Sequence, residues 1–502
     1  MNIAQAKQQI ERTMKAYLAK DEFGAYRLPA HRQRPVFLVG APGIGKTAIM
    51  EQVARELDVG FVSYSMTHHT RQSALGLPFI ARKTYGGVEY DVSEYTMSEI
   101  IASVYEYMEA TGAREGILFL DEVNCVSETL TPAMLQFLQY KTFGRHRVPD
   151  GWIVATAGNP PEYNRTVHEF DMATLDRLKR IDVEPDYRAW RDYAVQTGVH
   201  PAVLTYLDIE RENFYRVETT VDGMAFVTAR GWDDLAAVIG LYEEQGMPVD
   251  DLLIGQYVQH AETAKHFAVY YELFAKYRSD YRIDDIVAGR ADAALIERAQ
   301  AASFDERVSL MGLLSDALTV AVREAVAEEQ AAAFTHETLA ALRDEAQAAE
   351  EDDVAERALQ TAGGLRARQA NEAALGALDD DARLRYERAA GLLEQAVRTA
   401  GGGGLSFEAI KDAFAATLDG LDARIATASD ALDAALRFVE DAFGEGREML
   451  MIVTDLSIDR SSMAFINEHG CERYFAHNKA LLFDERGSDL AQRIAALDLD
   501  EA

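Results

Sequence analysis

Gly40-Ala41-Pro42-Gly43-Ile44-Gly45-Lys46-Thr47 is the stretch that decides the fold. It fits the pattern G-x-x-x-x-G-K-[ST], and its flanks complete the reading. Before it, Pro35-Val36-Phe37-Leu38-Val39 is a short apolar run that reads as a buried strand. After it, Ala48-Ile49-Met50-Glu51-Gln52-Val53-Ala54 reads as the opening of a helix. Strand, glycine loop and helix in that order make an anion cradle. Gly43 and Gly45 let the backbone fold tightly, and the N–H groups freed at the helix start point at bound phosphates. The cradle draws on Gly40, Pro42, Gly43, Ile44, Gly45, Lys46, Thr47 and Ala48. Lys46 adds a mobile positive charge, and Thr47 offers a hydroxyl to Mg²⁺. The competing explanation is a chance glycine turn before a helix, and the flanks and the downstream sequence weigh against it.

The chain has 502 residues, so two to four domains of roughly 100–200 residues are expected. Hydrophobic residues make up 48%, enough for real cores. A formal net charge of −33 argues against a general nucleic-acid binder, because phosphate contacts need a basic surface. The two cysteines, Cys125 and Cys471, form no CxxC, so neither a disulfide scaffold nor a zinc site is expected. No signal peptide is visible, and no apolar run approaches the roughly 20 residues of a membrane-spanning helix. A cytoplasmic protein is the expectation.

Ile117-Leu118-Phe119-Leu120-Asp121-Glu122 is the second signal: an apolar strand ending in two adjacent carboxylates. Such a run suits a central strand of a parallel sheet with both faces covered. Asp121 would hold Mg²⁺, and Glu122 would polarise the water that attacks the γ-phosphate. Without the phosphate loop, a strand leaving the core through a charged turn would be the better reading. Trp152-Ile153-Val154-Ala155-Thr156-Ala157-Gly158-Asn159-Pro160 is another buried strand, and Asn159 at its end could orient that water. Taken alone, Asn159 before Pro160 would be no more than a turn. Thr174-Leu175-Asp176-Arg177-Leu178-Lys179-Arg180 places arginines at a helix end just before a further strand. They suit phosphoryl transfer, which gains much from an arginine supplied by a neighbouring subunit, or else a solvated basic helix end. Phe226-Val227-Thr228-Ala229-Arg230 opens a helix from which Arg230 could reach a nucleotide.

These five elements, in this order, resemble an AAA+ ATPase of the MoxR type, the clade with an insert in helix 2. The resemblance covers roughly residues 1–285. It implies that Lys46 and Thr47 belong to Walker A, Asp121 and Glu122 to Walker B, Asn159 to sensor 1 and Arg230 to sensor 2. It makes Arg177 the arginine finger, with Arg180 as its rival. Leu77-Pro78-Phe79-Ile80-Ala81-Arg82-Lys83-Thr84-Tyr85-Gly86-Gly87-Val88-Glu89-Tyr90-Asp91-Val92 alternates around a Gly-Gly turn, a hairpin signal that resembles the helix-2 insert. Lys141-Thr142-Phe143-Gly144-Arg145-His146-Arg147-Val148 resembles the pre-sensor-1 hairpin. In rings of this type both hairpins face the central pore; otherwise they are ordinary surface hairpins. Two departures point to a divergent subgroup. The run Asn164-Arg165-Thr166-Val167-His168-Glu169-Phe170-Asp171-Met172-Ala173 replaces the usual G-x-x-x-L-P-E-A, and Leu178 replaces an aromatic.

From about Pro185 to Arg290 the pattern is helical. Beyond it the chain turns rich in Ala, Glu, Arg and Asp, strong helix formers on the whole, interrupted by Gly363-Gly364 and Gly401-Gly402-Gly403-Gly404. In the tail, Met451-Ile452-Val453-Thr454-Asp455-Leu456-Ser457-Ile458-Asp459 imitates the metal motif of von Willebrand A domains. Too little chain follows to build that domain, so a helical packing segment is expected.

The fold expected is α/β, a P-loop AAA+ parallel-sheet core with a helical lid and a mostly helical C-terminal extension. The core spans residues 1–185, with hairpin inserts near 76–95 and 140–151. The lid spans 186–290, the Ala/Glu-rich extension 291–404 and the C-terminal helical segment 405–502. The resemblance implies a ring, a hexamer, that converts ATP to ADP with Mg²⁺ and acts as a chaperone on a protein client, commonly one with a von Willebrand A domain. Two alternatives are an ATP-switched scaffold with little turnover and a nucleic-acid motor, the latter disfavoured by the acidity.

Overall fold

The computed structural model describes residues 1–68, 74, 76–127, 129–143, 145–163, 167, 170–220, 223–349, 354–374, 380–401 and 407–479. They form two compact units, Met1–Trp190 with Thr228–Gly231, and Arg191–Val227 with the chain from Trp232 onward. In chain order the first unit runs α1 (Ile3–Tyr17), β1 (Val36–Gly40), α2 (Lys46–Glu56), β2 (Gly60–Ser65), β3 (Pro78–Tyr85) and β4 (Val88–Tyr95). It continues with α3 (Glu99–Thr111), β5 (Gly116–Asp121), α4 (Thr131–Tyr140), β6 (Thr142–Phe143), β7 (His146–Arg147), β8 (Trp152–Gly158), α5 (Met172–Leu175), β9 (Lys179–Val183) and the start of α6 (Tyr187–Thr197).

Five strands make one parallel sheet in the order β2-β5-β8-β1-β9. Ile117, Leu118, Phe119 and Leu120 are wholly buried, as both faces of a covered parallel strand require. Leu118, Leu120 and Val154 share a core with Val104 of α3 and Phe137 of α4. Phe137 stacks on Phe143 with ring centroids 4.2 Å apart, so the small β6–β7 hairpin is anchored at its base. Each such side chain contributes about 1.5–3 kcal/mol by leaving water. The hairpin β3–β4 pairs over its whole length around Gly86-Gly87 and leaves Ile80, Tyr85, Val88 and Tyr90 exposed. Gly144, and Asn164, Arg165, Thr166, His168 and Glu169 of the run before the arginines, lie outside the described residues.

The second unit holds the rest of α6, then α7 (Pro201–Ile209), β10 (Arg216–Thr220), β11 (Gly223–Val227) and α8 (Ala229–Glu244). After these come α9 (Asp251–Tyr257), α10 (Ala261–Tyr281), α11 (Ile283–Val287), α12 (Ala293–Ala301), α13 (Phe304–Ala349) and α14 (Val354–Ala374). The last are α15 (Asp380–Ala400), α16 (Phe407–Phe443), α17 (Arg447–Ile458) and α18 (Arg460–His469). The antiparallel hairpin β10–β11 departs from the helical expectation for this region. Tyr206, Trp232 and Phe267 form an aromatic core with centroids 5.2–5.7 Å apart, and Trp232 Nε1 donates to the Asn213 carbonyl at 3.2 Å. This meets the need of a buried indole for one acceptor.

Gly363-Gly364 does not interrupt anything: it lies inside α14. Ala358 and Ala362 of that helix are buried with Leu393 and Val397 of α15, so packing outweighs a cost of roughly 1 kcal/mol per glycine. Gly402, Gly403 and Gly404 lie outside the described residues. The tail segment around Asp455 is the helix α17. Its Asp455 accepts from Arg191 Nη1 at 2.8 Å, while Arg191 Nε donates to both oxygens of Asp208 at 2.9 and 3.0 Å. One half-buried guanidinium thus ties α6, α7 and α17 together.

Candidate active site

The loop between β1 and α2 is held by backbone geometry that only glycine adopts at low cost. Gly43 has φ +71° and Gly45 φ +88°. Gly43 is also pressed against Thr228, whose Oγ1 would lie 2.7 Å from any added Cβ. Its carbonyl accepts from the Arg230 N–H at 3.1 Å. Gly45 is the N-cap of α2 and, having no side chain, caps none of the first-turn N–H groups. The N–H groups there are left for an anion, with the positive end of the helix dipole behind them.

Lys46 is 8% exposed. Its Nζ donates to the carbonyls of Gly40 (2.9 Å) and Ala41 (2.7 Å) and to Asn159 Oδ1 (2.8 Å), so the loop is closed on itself. Burial pushes the ammonium pKa down to about 8; Asp121 and Glu122 pull it back up and Arg230 lowers it further. The amine sits where a phosphate chain would restore its charge.

Thr47 Oγ1 donates to Asp121 Oδ2 at 2.8 Å, and the other Asp121 oxygen accepts the Glu122 N–H at 2.8 Å. A hydroxyl beside a carboxylate is an all-oxygen donor set, which suits a hard cation such as Mg²⁺. Glu122 has φ 55°, a left-handed conformation that turns its side chain away from the strand direction. Its Oε2 accepts from Ser65 Oγ and Thr67 Oγ1, both at 3.2 Å. Asn159 follows β8 directly, and its backbone carbonyl accepts from Asn124 Nδ2 at 2.8 Å. β1, β5 and β8 are neighbours in the sheet, so their carboxyl ends bring Lys46, Thr47, Asp121, Glu122 and Asn159 together.

The arginines differ in surroundings. Arg180, on β9, is engaged with Asp182 through Nε (2.9 Å) and Nη2 (2.7 Å). It lines a cleft of about 600 Å³ shared with Gly40 and Asn159 of its own chain. Arg177 follows α5 and is exposed; its backbone N–H donates to the Thr174 carbonyl at 3.0 Å, and its guanidinium makes no hydrogen bond or ion pair among the described residues. Arg230 is exposed at the start of α8, its backbone fixed to the phosphate loop. Ser65, Thr67, Asn124 and Thr228 also belong to the site, though no motif marks them. Ser65 is recognisable only once β2 is known to pair with β5, where it stands opposite Asp121.

Sheet order, loop and the carboxylate pair define a P-loop nucleotide domain. Residues 36–172 match the model for the ATPase family associated with various cellular activities (AAA). The match supports an AAA ATPase domain over this stretch, and with it nucleotide binding and ATP hydrolysis in general. No curated protein matches the chain. No helix among the described residues is long and apolar enough to cross a membrane.

Proposed function

We propose that the protein is a Mg²⁺-dependent ATP hydrolase of the MoxR-like AAA+ type, assembled as a hexameric ring and coupled to remodelling or activation of a partner protein. The observation that carries the hydrolase reading is the hydrogen-bonded cluster of Lys46, Thr47, Asp121, Glu122 and Asn159 at the ends of three adjacent strands. Lys46 and the loop N–H groups bind the β- and γ-phosphates. Thr47 and Asp121 would hold the Mg²⁺ ion, which would supply charge neutralisation at the phosphate oxygens. Glu122 takes the proton of the attacking water, and Asn159 orients that water. Arg177, exposed and with no ion pair to its guanidinium among the described residues, serves the neighbouring subunit's γ-phosphate, while Arg180 is occupied by Asp182. Arg230 senses the nucleotide from the start of α8.

The MoxR-like part rests on two hairpins, β3–β4 between β2 and α3, and β6–β7 before β8. Exposed Tyr85 and Tyr90 give the first hairpin a surface that suits a polypeptide client. The client is read by resemblance as a protein with a von Willebrand A domain. A second reading, an ATP-switched scaffold with little turnover, is favoured by the grip of Ser65 and Thr67 on Glu122, which holds the carboxylate in a fixed pose.

Steady-state ATP turnover by the wild type and by Glu122→Gln tests the proposal. The variant should bind ATP and lose on the order of 10²-fold or more in rate. Near-normal hydrolysis by Glu122→Gln would overturn the hydrolase site. Negligible wild-type turnover that no partner stimulates would favour the scaffold. Sizing in ATP and affinity capture on Glu122→Gln test the ring and the client.

A further inference from the structure

We infer that Asn124 is a positioning residue for Asn159, locking the end of β8 to the turn that carries Glu122. The inference rests on the hydrolase reading above.

Asn124 lies in the short 3₁₀ turn Val123–Cys125, next to Glu122. It is a polar side chain only 6% exposed, and its Nδ2 donates to the backbone carbonyl of Asn159 at 2.8 Å. A buried amide donor without a partner would be costly, so this bond fixes the relative placement of the two segments. Gly158 adds a second, independent sign. A Cβ there would fall 2.4 Å from Asn124 Oδ1, 2.7 Å from its Cγ and 2.9 Å from its Nδ2. The amide lies flat against the chain at 158, and only a residue without Cβ admits it.

Asn159 is therefore held at two points. Lys46 Nζ grips its side-chain oxygen and Asn124 its backbone oxygen. When Lys46 turns to a phosphate, the first hold is released. The second stays, because the hydrogen bonds of Asn124 among the described residues reach Asn159 and Cys125 and not the phosphate loop. Asn124 thus keeps the peptide of Asn159 in place while its side chain is freed to meet water. It also sets the distance from that side chain to Glu122, the other group acting on the same water.

The test uses the full chain and two substitutions. Asn124→Leu keeps the volume and removes the donor. Gly158→Ala keeps the donor and displaces it. Both should lower kcat roughly 10- to 100-fold, the usual penalty for a misplacement near 1 Å. KM for ATP and the calorimetric Kd for MgADP should stay within about threefold, which general loss of structure would not allow. Asn124→Leu added to Asn159→Ala should cause no further loss, since the two act as one unit. Wild-type kcat in Asn124→Leu would overturn the inference, as would losses that multiply in the double variant. If Asn124→Leu does not bind MgADP, Gly158→Ala decides, and wild-type kcat there is the refuting result. Full turnover by Asn159→Ala would remove the hydrolase role of that residue and this inference with it. Lost turnover in Asn159→Ala beside wild-type turnover in Asn124→Leu would sink this inference alone.

Discussion

Nucleotide binding should take up protons at mildly alkaline pH, and Lys46 is the reason. In the nucleotide-free loop its pKa is lowered to about 8 by burial. About half of the chains then carry a neutral Lys46 at pH 8, about a tenth at pH 7 and about nine tenths at pH 9. A terminal phosphate has its last pKa near 6, so it is about nine tenths ionised at pH 7 and essentially fully ionised at pH 8 and above. Its charge holds Lys46 protonated in the complex. The sign follows: the bound state carries more protons than the free state, so affinity is full below pH 8 and falls about tenfold per pH unit above it. Isothermal titration calorimetry of MgADP in two buffers of different ionisation enthalpy at pH 8 should show uptake of about half a proton per site. Lys141 is a second buried lysine lowered to about 8, but it bonds to Gln33, away from the loop. Lys141→Met should leave the uptake unchanged. Buffer-independent heats, together with a constant Kd from pH 7 to 9, would refute the placement of Lys46 against phosphate.

Three further outcomes follow from the same geometry. Lys46→Ala should fail to bind ATP in a filter or fluorescence assay, and tight binding would remove the phosphate-loop assignment. Mixing Lys46→Ala with Arg177→Ala should restore turnover in mixed rings, since an arginine finger is worth ~10³–10⁵ in rate; proven mixed assembly without recovery would shift the role to Arg180 or to an arginine acting in cis. Arg191→Met removes the guanidinium that the buried carboxylate of Asp455 and the half-buried carboxylate of Asp208 share, and should cost about 3–5 kcal/mol in chemical denaturation of the second unit; a cost under about 1 kcal/mol would show that other groups or water already support these carboxylates.

Much of the site was legible because its chemistry demands contiguous residues. A loop that wraps an anion needs its glycines, lysine and threonine within eight positions, and two carboxylates at a strand end are adjacent by necessity. Ser65 and Thr67 were hidden because they meet Glu122 only through the register of β2 against β5. Asn124 was hidden for a related reason: its partner is a backbone carbonyl, which carries no sequence signature. The hairpin β10–β11 was missed although β-branched Val217 and Thr219 alternate with charged Arg216 and Glu218, because the apolar helical runs on either side dominate any window that includes it. Gly363-Gly364 misled in the opposite direction, since intrinsic propensity says nothing of the buried alanine face that carries α14 through.

Helix α13 is a single rod of 46 residues, about 70 Å long. It packs on α7, α10 and α11 and also on α14 to α18, so the helices before it and after it in the chain share one axle. A rotation of about 10° at one end of such a rod would sweep the other through about 12 Å, several times the displacement at its root. Helices that lie far apart along the chain are thus geared to one another through this rod rather than merely tethered.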